Sequence, residues 1–155
     1  MKKNLKLVYN KPAPDDDMRG WRYDSAKNKG WESQSLPIGN AYFGAKIFGL
    51  TERERIQLCE KTLSTSGTTK NSGNTSFAEC YIHFNHILNE TENYSRELSL
   101  DESIARVSYS YGGLTYTREY FASYPDKVLV ISLNASKSGP VIIASAGVSL
   151  SHIPI

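Results

Sequence analysis

The double glycine Gly112-Gly113, set between two runs of alternating aromatic, β-branched and polar residues, constrains this chain more than any other feature. Both central residues of a type I′ turn need positive φ, which glycine adopts without a Cβ clash, so a two-residue β-hairpin is predicted. That loop length fixes the register. Tyr111 opposes Leu114, Tyr109 opposes Tyr116, Val107 opposes Arg118, and Arg106 opposes Glu119. One face then carries Ala105, Val107, Tyr109, Tyr111, Leu114, Tyr116 and Tyr120, with Arg118 as its exception. The other carries Arg106, Ser108, Ser110, Thr115, Thr117 and Glu119, and is expected to meet water or a polar layer. A slip of one residue would exchange the faces, so register should be strongly specified. Each cross-strand pair adds only about 0.2–1 kcal/mol, and the hairpin therefore needs further strands.

The same two-residue period recurs along the chain. Leu5–Tyr9 reads as a first strand, closed by Lys11-Pro12-Ala13-Pro14 and the acidic triplet Asp15, Asp16 and Asp17. Residues 15–30 are polar and irregular, with Trp21 and Tyr23 as large anchors. Leu36-Pro37-Ile38-Gly39-Asn40 reads as a turn and Ala41–Gly49 as a strand, in which Gly44 marks a bulge or a close backbone approach. A polar turn at 51–54 leads to a strand at Arg55–Cys59. Residues 64–76, almost wholly Ser, Thr, Gly, Asn and Lys, read as a long loop of the mobile or functional kind. Glu79–Asn85 resumes β structure, and Asn89–Tyr94 reads as loop, with a short helix as the alternative. Lys127–Leu133 is apolar throughout and expected to be central; after a turn at 134–139, residues 140–150 form the last strand.

Strands spaced roughly 8–12 residues apart and joined by turns indicate a sandwich or barrel. The expected fold is an all-β antiparallel sandwich, one domain over residues 1–155, because this length supports one core rather than two. The sequence stops just after an apolar strand, without the charge or cover that blunts natural edges. A sandwich incomplete at its C-terminal end is expected, with self-association through the unfinished sheet edge.

Composition excludes several partners. The 18 basic and 16 acidic side chains are interspersed, and Lys2-Lys3 is the longest basic run, so no nucleic-acid partner is expected. No stretch approaches the roughly 20 apolar residues that span a bilayer, and no membrane partner is expected. The basic N-terminus is not followed by the apolar segment of a signal peptide, and the compartment stays open. Cys59 and Cys80 lack C-x-x-C spacing and read as two free, buried thiols, with a disulfide between them as the alternative.

Candidate chemistry is sparse. His83 and His86 form H-x-x-H, but residues three apart on a strand point to opposite faces and cannot share an ion, so they read as polar edge histidines. No metal and no cofactor are expected. Only His152 remains for a triad, and neither a G-x-S-x-G elbow nor a phosphate-binding glycine loop occurs. Glu52, Glu54, Glu60, Glu79, Glu97, Asp101, Glu102 and Glu119 could supply a glycosidase pair, which must stand roughly 5–10 Å apart. Each is expected in a surface or salt-bridge role, and no catalytic residue is assigned. The N-x-S/T triplets at Asn74, Asn89, Asn93 and Asn134 carry no functional weight in a chain this rich in those residues. Most of the ten tyrosines lie where strands favour aromatics, so Trp21, Trp31 and residues 64–76 are the better contact surfaces.

More specific is an ordered series: Trp31-Glu32, Leu36-Pro37-Ile38-Gly39-Asn40, Phe43-Gly44-Ala45, Phe48-Gly49, and Glu54-Arg55-Ile56-Gln57-Leu58 with Glu60, Thr62 and Leu63. It resembles the opening of glycoside hydrolase family 95 proteins, typified by α-L-fucosidases. Tyr94-Ser95-Arg96-Glu97-Leu98-Ser99-Leu100-Asp101 is similar to the family's Y-x-R-E-L-D-L. Val107-Ser108-Tyr109 and Gly113–Asp126 resemble its G-V-x-Y-x-R-E-x-F-A-S-x-P-D. The resemblance covers about residues 5 to 150. Ala41, Cys59, Lys61 and Ser64 depart from it, standing where the family commonly has Gly, Asn, Asp and Trp. It implies an N-terminal β-sandwich, part of a super-sandwich, whose partner is a catalytic (α/α)6 barrel that this chain lacks. The family's inverting chemistry lies on that barrel, so no catalytic residue carries over. The implied role is a non-catalytic domain packed on the barrel. The alternative is a free-standing carbohydrate-binding sandwich.

Overall fold

The computed structural model describes residues 5–15, 30–65, 73–137 and 143–150. Among these, ten strands form two five-stranded sheets, paired antiparallel throughout. In chain order they are β1 (Lys6–Tyr9), β2 (Leu36–Gly39), β3 (Phe43–Ile47), β4 (Arg53–Thr65), β5 (Gly73–Phe84), β6 (Glu92–Ser99), β7 (Ile104–Tyr111), β8 (Leu114–Ser123), β9 (Val128–Ala135) and β10 (Ile143–Leu150). Sheet A is ordered β1-β6-β7-β8-β9 and sheet B β10-β5-β4-β3-β2. The core lies between them: Leu36, Ile38, Ala45, Ile47 and Ile56 from sheet B meet Leu98, Ala105, Val107, Tyr109 and Tyr120 from sheet A. Alternate residues of each strand supply that layer, because successive side chains point to opposite faces. The fold is an all-β sandwich.

The hairpin forms in the expected register. Gly112 and Gly113 hold φ of 57° and 76°, and Tyr109 pairs with Tyr116, Val107 with Arg118, and Arg106 with Glu119. Ala105, Val107, Tyr109 and Tyr120 are buried.

Several expectations are corrected. Leu36–Gly39 is a strand rather than a turn: alternation buries Leu36 and Ile38 and exposes Pro37. Proline is tolerated because β2 is an edge strand. The turn proper is 40–42, and β3 is correspondingly shorter than the expected Ala41–Gly49. Gly44 makes no bulge; it pairs regularly with Gly39 and Cys59. Its close neighbour is a side chain rather than backbone: a Cβ there would lie 3.0 Å from the Cys59 sulfur and 3.7 Å from the Ile38 carbonyl oxygen.

The polar stretch 64–76 is largely hairpin, with Ser64 paired to Asn74 and Thr65 to Gly73; residues 66–72 lie outside the described part. β4 and β5 run past Glu60, the last partner of β3, so among the described residues the arm has no further strand beside it to demand an apolar pattern. Glu92–Ser99, read as loop at its start and not recognised as a strand, is β6, entered through a single 3₁₀ turn at Leu88–Glu90. Its inward positions include a charged residue, Arg96, which disguises the alternation.

β9 was expected to be central and is the edge of sheet A among the described residues. The short turn 124–127 lays it beside β8 whatever its hydropathy, and most of its residues are only half-buried. Cys59 and Cys80 are free, as expected, but half-buried rather than buried. Asp16, Asp17, Trp21, Tyr23, His152 and the Lys2-Lys3 pair lie outside the described residues.

Candidate functional site

Arg118 is the one charged residue on the inward face of the central hairpin, and the structure shows what it meets. It is 2% exposed and lies 3.1 Å (Nη1) from Oε2 of Glu54, which is 0% exposed on β4 of the opposite sheet. The approach is an ion pair without hydrogen-bond alignment; Nη2 of Arg118 instead donates to the Leu50 carbonyl at 2.8 Å. Tyr120 donates its hydroxyl proton to Glu54 Oε2 at 2.6 Å, and the amides of Gly49 and Arg55 donate to Oε1 at 2.8 and 3.0 Å. Glu54 is thus satisfied by groups of both sheets, which a buried carboxylate requires. Burial pulls the Arg118 pKa down, but the surrounding tyrosines and Glu54 outweigh it and leave it raised. Burial likewise pushes the Tyr120 and Tyr94 hydroxyls well above their ordinary value, and Tyr109 to about 12.

Gly49 fits beside this network only because it is glycine. Its φ is 77°, and a Cβ would meet the Tyr94 hydroxyl at 2.6 Å. That hydroxyl donates to the Gly49 carbonyl at 2.6 Å. Nearby Arg96, 0% exposed, donates Nε to the Lys11 carbonyl at 2.8 Å and Nη1 to the Gln34 carbonyl, and stacks on Tyr9 at 4.2 Å. It ties three chain segments together, and burial lowers its pKa.

His86 is not a polar edge residue. It follows the end of β5, is buried, and places Nδ1 2.8 Å from the Tyr109 hydroxyl amid Phe84, Tyr111 and Tyr116. Burial, helped by Arg118, lowers its pKa. His83 is half-buried on β5, paired with Arg53. The two histidines serve separate surroundings.

The remaining carboxylates named from sequence are mostly engaged by cations. On the outer face of sheet A, Arg106 binds Glu119 at 2.7 Å, Glu102 at 2.5 Å and Glu97 at 3.4 Å, and Lys6 adds a 3.0 Å contact to Glu97. On sheet B, Arg55 bridges Asp15 at 2.9 Å and Glu79 at 2.5 Å, with Phe48 against its guanidinium. Glu60 holds the Thr62 amide, while Glu52 and Asp101 are exposed. The ion pairs of Glu79, Glu97, Glu102 and Glu119 tie neighbouring strands and turns together.

At one end of the sandwich the turns 40–42 and 124–127 meet. Asn40 Oδ1 accepts from the amides of Tyr42 and Phe43 at 3.1 Å each, and Nδ2 donates to the Ser123 carbonyl at 2.5 Å, joining sheet B to sheet A. Ala41 is held at φ 70° and Lys127 at φ 56°. Tyr42 and Tyr124 rings stand 5.5 Å apart, and Lys127 lies 4.6 Å over Tyr42. Sequence reasoning missed this corner, because Tyr124 sits in a turn and its neighbour is 82 positions away; the spacing of Asn40 and Ser123 carries no local signal. Of the contact surfaces it favoured, Trp21 and residues 66–72 lie outside the described part, and Trp31 falls in a π-helical turn, Gly30–Gln34.

Alpha-L-fucosidase 2 of Arabidopsis thaliana is 29% identical over 150 residues, covering 72% of this chain and 18% of that protein. The chain thus spans less than a fifth of that relative's length. The family described as "Glycosyl hydrolase family 65, N-terminal domain" matches residues 7–78 and 66–151. That description carries the number 65 where the motifs resembled family 95; with the fucosidase relative it supports an N-terminal domain of a fucosidase-like glycosidase. Its match extends across nearly the whole described sandwich, and the chain belongs to the glycosyl hydrolase family 65 N-terminal domain family.

Proposed function

We propose that this chain is the non-catalytic N-terminal domain of an α-L-fucosidase-like glycoside hydrolase, and that it packs against the catalytic (α/α)6 barrel of its parent. The observation that carries the reading is the internal engagement of its buried carboxylate: Glu54 is committed to Arg118, Tyr120 and two backbone amides. A carboxylate so held is a clamp between sheets, not an acid or base facing substrate. Incubation of the purified chain with an aryl α-L-fucoside tests it. No turnover is expected, and turnover that survives repurification overturns the non-catalytic role.

A second reading, a carbohydrate-binding sandwich, is favoured by the exposed Tyr124 beside Tyr42. Titration calorimetry with fucosylated oligosaccharides separates the two: heat without hydrolysis supports binding. The half-buried apolar edge strand β9 favours self-association as well. A strict monomer in sedimentation at high concentration would count against it.

A further inference from the structure

We propose that the corner formed by turns 40–42 and 124–127 is a binding site for a neutral pyranose, stacked on the ring of Tyr124. The inference rests on the carbohydrate-binding reading and gives it a location. Tyr124 is 60% exposed, whereas the strand tyrosines Tyr109 and Tyr120 are buried in the core. Its ring is tilted 40° to that of Tyr42, so the pair forms a bent aromatic wall rather than a flat stack. Lys127 lies over the Tyr42 ring, which leaves Tyr124 as the ring available to a ligand.

The polar groups beside the wall suit a sugar. Apolar C–H faces of a pyranose pack on an aromatic ring, while its hydroxyls need donors and acceptors at the rim. Lys127 brings an ammonium donor, and Asp126, anchored by the Ser123 hydroxyl at 2.6 Å, brings a carboxylate acceptor. One positive and one negative group leave the corner without net charge, so a neutral sugar fits it better than an anionic polymer.

The site is preorganised. The two turns belong to different sheets, and buried Asn40 holds its own turn through the Tyr42 and Phe43 amides and reaches the Ser123 carbonyl, the residue that enters the other. Ala41 and Lys127 both occupy the left-handed region that favours glycine. Such strained positions persist only where surroundings over-determine them, and they cluster at ligand clamps. A corner fixed before binding loses little ordering entropy when a ligand arrives.

The test is amide and ring chemical-shift mapping of the chain titrated with methyl α-L-fucoside and, separately, methyl β-D-glucoside. Saturable shifts confined to residues 40–42 and 123–127 are expected with at least one sugar, with a dissociation constant on the order of 1 mM. Tyr124→Ala should weaken binding about 10-fold or more, and Tyr124→Phe should retain it, since the ring face makes the contact. Both variants should unfold cooperatively near the parent, with only the small loss of the Tyr42 ring contact in Tyr124→Ala, because Tyr124 is exposed. Binding that ignores Tyr124→Ala, or shifts centred elsewhere, overturns this site and leaves the carbohydrate reading standing. No saturable shift with either sugar overturns both.

Discussion

Glu54 on β4 and Arg118 on β8 meet 3.1 Å apart across the core, so the two sheets are joined by a buried ion pair as well as by apolar packing. Removing one member strands the other charge away from water. Glu54→Gln or Arg118→Met should each cost about 3–5 kcal/mol, measured by urea unfolding. Tyr120→Phe removes only one bond to the carboxylate and should cost about 1.5–3 kcal/mol. By contrast Arg106→Ala, though it loses three carboxylates on the outer face, should lower the urea midpoint far less than Arg118→Met, because water screens exposed pairs. Equal losses at Arg106 and Arg118 would contradict this ranking.

Ala41 holds φ 70°, a conformation that costs an L-residue about 1–2 kcal/mol. Ala41→Gly relieves that strain while adding unfolded-chain entropy, and should raise stability by about 0.5–1 kcal/mol. The urea midpoint should rise with an unchanged slope. A fall would show that Ala41 makes contacts worth more than its strain.

Three glycines separate strain from crowding. Gly112, Gly113 and Gly49 all have positive φ, but only at Gly49 would a Cβ meet close neighbours: the Tyr94 hydroxyl at 2.6 Å and Arg96 at 3.0 Å. Gly113→Ala should cost about 1–2 kcal/mol from conformation alone. Gly49→Ala should cost about 1–3 kcal/mol more, by overpacking. Comparable melting shifts for the two variants would refute the crowding at Gly49.

His86 should make stability depend on pH. Burial and Arg118 lower its folded pKa below the ordinary 6.5, with Tyr109, Tyr111, Tyr116 and Phe84 around it. Between the folded and unfolded values the unfolded chain binds more protons, so stability rises with pH there and is lost as pH falls below 6.5. Urea midpoints of the parent should drop on acidification through this window more than those of His86→Gln. Identical pH profiles would remove His86 from the account.

Tyr109 and Tyr81 act at the alkaline end. Burial, first, pushes both hydroxyls to about 12. Their folded values are raised, so their contribution is whole below the ordinary 10 and is lost as pH rises from 10 to 12. Tyrosinate absorbance should appear with unfolding, and Tyr109→Phe should move that transition to higher pH.

β7 and β8 were legible despite the inward Arg118, because the glycine pair fixes their register locally. β6 was not recognised because Arg96 occupies an inward position, where Nε and Nη1 reach carbonyls of Lys11 and Gln34 that lie 85 and 62 positions away. β9 was misplaced because hydropathy reports how apolar a strand is and not how many neighbours it has. The corner of Tyr42 and Tyr124 was illegible for the same reason as the Glu54–Arg118 pair: its members are brought together only when the sheets face.

The two-residue period, the Gly112-Gly113 register and the family motifs are each written into short runs of neighbouring residues and could be read without coordinates. Tertiary structure alone decided which charged residues are buried, which strand is an edge and which turns touch. Those outcomes depend on distances between segments far apart in the chain, and free energies of burial and pairing are fixed only once the two sheets have closed on each other.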